Sequence, residues 1–249
     1  MNQSPMKPIT ILPTSDALQW RKSVTVPSGP ILEAMTFSSK DQTRYVLQGV
    51  YFDKDSIVAT DGRKLYHRTG LKLEPVADSI LPAEHDVRGF LGAHDYVRIE
   101  TSKDKRHFRL TNTLGEKVVK AIEGNFPNYK QVMPDINTCV YLSYEAEALL
   151  RALKALPKTP KGASVTLTVR NGLSAVSAVA PNEKGKAKTY TESFFARANG
   201  DLTILLNREW FTAAVKQGFD TAYLKDAESP ILLVKAETKY VQMPMKQGA

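Results

Sequence analysis

Cysteine is almost missing from this chain. Cys139 is the only one in 249 residues, so no internal disulfide can form and a reducing, cytosolic setting is expected. Long apolar runs are missing as well. Ile231-Leu232-Leu233-Val234 is among the longest, against the roughly 20 apolar residues that a membrane-spanning helix requires. The opening residues MNQSPMKPITILP carry neither the cationic nor the apolar segment of a secretory signal. His67, His85, His94 and His107 are scattered without metal-ligand spacing, and Cys139 has no partner cysteine. No metal or other cofactor is therefore expected. Glycine-rich phosphate loops and a G-x-S-x-G elbow are also lacking, so the usual signatures of nucleotide-dependent and serine-hydrolase chemistry are not there. Asp61 beside Gly62 reads as a turn, because Asp hydrogen-bonds nearby backbone amides, and the chain is read as a non-enzyme.

Hydrophobic residues make up 42% of the chain and charged residues 24%, the balance of an ordinary globular protein with enough length for two cores. The net charge of +8, with a sequence pI of 9.4, favours polyanionic partners.

Organisation emerges from periodicity. Residues 1–20 carry Pro5, Pro8 and Pro13 and read as an arm, with 9–12 as an edge strand. A short strand over 23–26 leads to a helix beginning at Ser28-Gly29-Pro30, with Pro30 in its first turn. Residues 44–52 alternate as a strand, 56–60 return as a second strand, and Asp61-Gly62 breaks the run. Leu81-Pro82 opens a second helix that Gly92 ends. Strands over 96–100, 107–111 and 117–122 complete a unit. The order then recurs, which points to internal duplication. Residues 144–156 form an amphipathic helix with Leu149, Leu150 and Leu153 on one side and Glu147, Arg151 and Lys154 on the other. Strands over 165–169, 173–178 and 190–196 follow, with a basic loop over 181–186. Asn207 caps a helix over 208–217 that Gly218 terminates. Strands over 222–225, 231–235 and 239–243 close the chain.

Three stretches carry a more specific signal: Leu47-Gln48-Gly49-Val50-Tyr51-Phe52 with Val58-Ala59-Thr60-Asp61-Gly62-Arg63-Lys64-Leu65; Glu123-Gly124-Asn125-Phe126-Pro127-Asn128-Tyr129 with Val132-Met133-Pro134; and Tyr240-Val241-Gln242-Met243-Pro244-Met245-Lys246. In this order they resemble the bacterial DNA polymerase III beta subunit, the replicative sliding clamp. The resemblance covers that family's second and third domains and leaves no room for its first. It implies an α+β fold of two tandem DNA-clamp (processivity-fold) domains, 21–134 and 135–246, each with two helices packed on antiparallel sheets, plus a tail over 247–249.

The function implied is a processivity factor that encircles double-stranded DNA as a ring, without sequence preference, and tethers DNA polymerase and clamp-loader subunits through linear motifs. Such a protein is cytoplasmic and nucleoid-associated, with no membrane. Six domains in the family's ring and two per chain here imply a homotrimer. The family tends to be acidic overall with a basic inner surface, and this chain departs from it in bulk charge. The family's peptide groove maps onto Leu47, Thr60, Gly62, Arg63, Lys64, Leu65, Pro127, Gln131, Val132, Val241, Gln242, Met243, Pro244 and Met245. Gln131 and Gln242 stand where the family has Arg and Val, so a less charged, less apolar rim and a shifted peptide preference are expected. Helix faces toward the ring's hole imply phosphate contacts from Lys40, Arg88, Arg151, Lys154, Arg208 and Lys216. Two other readings remain: a non-encircling adaptor or decoy that keeps the groove, and a general basic DNA-binding protein.

Overall fold

The computed structural model describes residues 17–158, 160 and 163–246. The first sixteen residues of the expected arm, its edge strand over 9–12 and the tail over 247–249 lie outside the described residues. In chain order the first elements are β1 (Val24–Pro27), α1 (Ser28–Met35), β2 (Gly49–Phe52), β3 (Ile57–Thr60), β4 (Lys64–Arg68), β5 (Ser79–Pro82), α2 (His85–Gly92), β6 (Tyr96–Thr101), β7 (His107–Asn112) and β8 (Gly115–Lys120). The order then repeats element for element: β9 (Val140–Tyr144), α3 (Ala146–Ala155), β10 (Ser164–Val169), β11 (Gly172–Pro181), β12 (Ala187–Ala198), β13 (Leu202–Asn207), α4 (Arg208–Lys216), β14 (Thr221–Leu224), β15 (Ile231–Lys235) and β16 (Thr238–Gln242). Strand, helix, four strands, helix and three strands occur twice, so the expected duplication is present, although β5, β9 and β13 were not among the expected strands.

Packing divides the chain differently from chain order. The described residues up to Ala59, with Gly70–Phe126, form one compact unit; Thr60–Thr69 and the described residues from Pro127 onward form the other. In the first unit β1-β6-β7-β8 make one antiparallel sheet, and β2 pairs antiparallel with both β3 and β5. Phe52 and Phe108 meet at 5.8 Å between ring centroids and join β2 to β7, with both side chains fully buried. Gly49 is required for close approach, because a Cβ there would stand 2.5 Å from the carbonyl oxygen of Leu81. The second unit orders its strands β13-β10-β11-β12-β9-β14-β15-β16-β4. Its core is built from Leu149, Leu153, Phe211, Val215, Phe219 and Tyr240.

Several local expectations are corrected. Residues 44–47 are not strand: Gln42–Leu47 is a 3-10 segment, because the Asp41 carboxylate accepts the Thr43 amide at 2.9 Å and caps it. Leu81-Pro82 belongs to β5, and α2 starts only at His85. Gly92 is the last residue of α2 rather than a left-handed cap. The basic loop is a compact hairpin turn in which the Asn182 side chain accepts the amides of Lys184 and Lys186, both at 3.0 Å. β13 is an unanticipated strand whose last residue, Asn207, caps α4 by accepting the Trp210 amide at 3.0 Å.

Each unit locks its helix pair with one arginine. In the first, Arg88 of α2 donates to the carbonyl of Ala83 at 3.0 Å and to that of Met35, the last residue of α1. In the second, Arg208 of α4 donates to the carbonyls of Leu153 and Leu156, at 2.7 and 3.1 Å, and of Pro157 at 2.6 Å. These carbonyls sit at the C-terminal end of α3, where no intrahelical donor remains for them and the helix dipole favours a cation. Removing the guanidinium strands several carbonyls. Arg208→Ala is expected to cost about 2–4 kcal/mol, lowering Tm by several degrees in a thermal melt, while Arg151→Ala on the exposed side of α3 leaves Tm nearly unchanged.

Candidate functional site

The Thr60–Lys64 turn is built by its own side chains. Thr60 donates its hydroxyl to the Lys64 carbonyl at 2.7 Å and accepts the Gly62 amide at 3.0 Å. The Asp61 carboxylate accepts the amides of Arg63 and Lys64, at 2.9 and 3.0 Å, and pairs with the Lys64 ammonium at 2.8 Å. Gly62 has φ +86°, a conformation that a side chain disfavours. Burial pushes the Asp61 pKa up, but the hydrogen bonds from Lys64 and Arg63 outweigh it and hold the carboxyl below its ordinary range. Asp61 is thus consumed by the turn, in agreement with its reading as turn chemistry.

β4 continues from this turn and pairs antiparallel with β16, from Lys64 opposite Gln242 to Arg68 opposite Thr238. The Met243 amide donates to the Arg63 carbonyl at 2.9 Å, and the Met245 amide to the Leu205 carbonyl of β13 at 2.8 Å. Two stretches that lie far apart in sequence are thereby set side by side: Thr60–Leu65 and Val241–Met245. Met243 is 39% exposed, and Pro244 and Met245 are half-buried. Beside them opens a cavity of about 720 Å³, bordered by Thr166, Leu205, Glu228, Met243, Met245 and Lys246. Its wall is polar at Thr166 and Glu228 and apolar at Leu205 and the two methionines. Methionine side chains repack around varied ligands at small cost. Pro127, Gln131 and Val132 are exposed on the segment around Tyr129, whose ring lies 5.3 Å from that of His67 on β4.

Not every residue assigned to the groove reaches a surface. Leu65 and Val241 are 3% and 2% exposed and face each other across the β4–β16 pair, so they support the floor from beneath. Gln242, expected on the rim, is fully buried. Its amide nitrogen donates to the Asn207 carbonyl at 3.2 Å and its oxygen accepts the Tyr240 hydroxyl at 3.2 Å. A buried amide is tolerated only with partners, and both ends of this one are satisfied. Leu47 is buried in the 3-10 segment of the first unit. The sequence reading missed Trp210, half-buried in the first turn of α4, whose ring centroid lies 6.0 Å from the Lys64 ammonium. Its signal was available: it stands three residues after the Asn207 cap, in the first turn of the expected helix, as a large ring with a polar N–H.

Solved structures share this architecture at high similarity. The pol III beta of Caulobacter crescentus matches with TM-score 0.79 and 21% identity over 98% of this chain and 70% of that one. The fold is that of the DNA polymerase III beta sliding clamp. The Bartonella birtlesii clamp bound to griselimycin matches with TM-score 0.74 and 23% identity, over 90% of this chain and 66% of that one. The Borrelia burgdorferi subunit beta, in complex with a natural product, gives 0.77 and 18%, over 91% and 65%. This chain therefore spans less than two thirds of the length of the Bartonella and Borrelia clamps. No family model and no curated protein matches the sequence.

Within the clamp fold the six assigned DNA-facing cations separate into two groups. Arg88 and Arg208 are the helix locks described above; their guanidinium groups are turned to backbone carbonyls, which corrects their assignment to phosphate. Lys40, Arg151, Lys154 and Lys216 are exposed, with Arg151 standing 3.9 Å from Glu147 one turn away on α3. α1 contains no lysine or arginine, and α2 only Arg88. Among the described residues the exposed helical lysines and arginines thus all belong to α3 and α4. Among the described residues no group of three or more His, Cys, Asp or Glu side chains could hold a metal, and no helix is long and apolar enough to cross a membrane.

The lowered pKa of Asp61 sets a pH dependence. A carboxyl with a depressed folded pKa adds stability above its unfolded pKa of about 3.9, and that stability is lost as pH falls through the folded value. Asp61→Asn is expected to cost about 1 kcal/mol at neutral pH; denaturant titrations should show the gap closing progressively below pH about 4.

Proposed function

We propose that the chain is a sliding clamp, a processivity factor that encircles duplex DNA and tethers a polymerase or another DNA enzyme through a peptide groove. The observation that carries this reading is the juxtaposition of Arg63 with Met243 and Met245 by the β4–β16 pair, beside an open cavity, within a clamp fold. The groove is formed by Thr60, Gly62, Arg63, Lys64, Pro127, Gln131, Val132, Met243, Pro244 and Met245, with Trp210 added and Leu65, Val241 and Gln242 as its support. Its floor suits an apolar peptide anchor, and the exposed Arg63 suits an acidic residue beside that anchor. The protein makes and breaks no bond; its role is topological and it works in the cytoplasm on the nucleoid.

With two clamp-type repeats per chain, three copies complete a ring of six. Arg151, Lys154 and Lys216 of the second unit, with Lys40, supply sequence-independent phosphate contacts, since such contacts position a protein without specifying bases. A non-encircling adaptor that uses the same groove is the alternative, and assembly state separates the two.

Three experiments test the reading. Solution mass together with retention on closed circular DNA, and loss on linear DNA, is expected of a ring; a monomer at all micromolar concentrations supports the adaptor. Changing Arg151, Lys154 and Lys216 together to Glu should weaken DNA association and flatten its salt dependence, by roughly 0.9 in log–log slope for each phosphate no longer neutralised, without disturbing assembly. Partner peptides should lose at least tenfold in affinity, about 1.4 kcal/mol, on Arg63→Glu with Met243→Ala in fluorescence anisotropy. Leu65 is a poor position for that test because an acidic side chain there would be buried.

A further inference from the structure

The cavity beside Met243 and Met245 carries a charge on its wall that an apolar floor does not explain. Glu228 borders it and is exposed. The turn holding Glu228 is built by Asp226, whose carboxylate accepts the amides of Glu228 and Ser229, at 2.9 and 2.6 Å, and the Ser229 hydroxyl at 2.8 Å. The hydrogen bonds from the Ser229 hydroxyl and from both amides hold the Asp226 carboxyl below its ordinary range. Asp226 is thus an ionised turn former, occupied by its neighbours. Glu228 contributes only its backbone to this turn, and among the described residues its carboxylate forms no ion pair.

The same construction stands beside Met243. There Asp61 accepts the amides of Arg63 and Lys64 and pairs with the Lys64 ammonium, which leaves the exposed Arg63 guanidinium outside the turn. The Met243 amide donates to the Arg63 carbonyl, and the Met245 amide to the Leu205 carbonyl, so the chain runs from Arg63 past both methionines to β13. Two aspartate-built turns therefore present opposite charges with an apolar stretch between them. Leu205 turns its carbonyl to this chain; Thr203, two residues away on the same strand edge, turns its backbone groups the same way and borders the cavity. Such an edge takes an extended peptide, and a ladder fixes direction and register. Lys246, the other charged residue on the cavity wall, sits on a four-carbon stem and makes no ion pair with Glu228.

We propose that Glu228 reads a positive charge in the partner peptide, so that the groove takes an apolar anchor flanked by an acidic residue at Arg63 and a Lys or Arg at Glu228. This charge order rests on the clamp reading of the groove and specifies the class of peptide that the groove accepts. A peptide with the reversed order meets like charge at both ends and is rejected. A pair this exposed changes affinity only a few-fold. Glu228 therefore selects among peptides that the apolar anchor already holds.

Selection from a displayed library of random peptides, with the whole chain as bait, tests the charge order. The protein should enrich peptides with an apolar anchor, an Asp or Glu on one side and a Lys or Arg on the other, in one fixed order. Bait carrying Glu228→Lys should enrich an acidic residue in place of that Lys or Arg. In fluorescence anisotropy a selected peptide should lose about threefold in affinity on Glu228→Gln and about tenfold on Glu228→Lys, with unchanged thermal melts. Replacing the peptide's own Lys or Arg by Glu should restore binding to the Glu228→Lys protein. Enriched peptides without a charge preference at that position, or affinities that ignore both substitutions, would overturn the assignment. The outcomes separate from the groove itself. Peptides that weaken on Arg63→Glu with Met243→Ala but not on Glu228→Lys keep the groove and remove the charge order. A selection that yields no anchor-bearing peptide removes the groove and the charge order with it.

Discussion

The pairing of β4 with β16 is the constraint on which the second unit depends. It is a five-residue antiparallel ladder between segments 170 positions apart in sequence, as between Arg68 and Thr238. Closing so long a connection costs conformational entropy that local contacts cannot repay. The return comes from burial on both faces: Leu65, Tyr66, Tyr240, Val241 and Gln242 are each at most 3% exposed. The ladder also delivers the Thr60–Lys64 turn to the Met243–Met245 segment, so the core and the candidate groove are two consequences of one contact. A substitution that loosens the ladder therefore removes both.

Charge is distributed less simply than the net value of +8 suggests. Two of the cations on helix faces are used internally, each turned to the carbonyls at the end of a neighbouring helix. An arginine serves this role because its fixed fork of donors reaches several acceptors at once and its charge complements the helix dipole. The same device in both repeats shows that it belongs to the duplicated architecture rather than to one functional surface. What remains for a polyanion on the helices is concentrated on α3 and α4, with Lys40 beyond α1. The two repeats thus share a scaffold and differ in surface chemistry.

Amino-acid sequence alone determined the α+β class, the duplication and most helices and strands, because these follow from local periodicity and from capping residues such as Asn207 and Gly218. It also determined the Thr60–Lys64 turn, whose hydrogen bonds run between near neighbours. It misjudged residues 44–47 and Leu81-Pro82, where an alternating pattern and a proline had local readings that the Asp41 cap and the β2–β5 register override. Only the tertiary structure decided which named side chains are free. Arg88 and Arg208 look like surface cations because their helical spacing points outward, and nothing local reveals the carbonyls of another helix end. Gln242 looks like a rim residue until Asn207 and Tyr240 are seen to satisfy its amide. Trp210 becomes part of the candidate groove only through its approach to Lys64, across a distance in sequence that no periodicity spans. Local chemistry selects elements; contacts between distant segments decide which of their side chains are left to act.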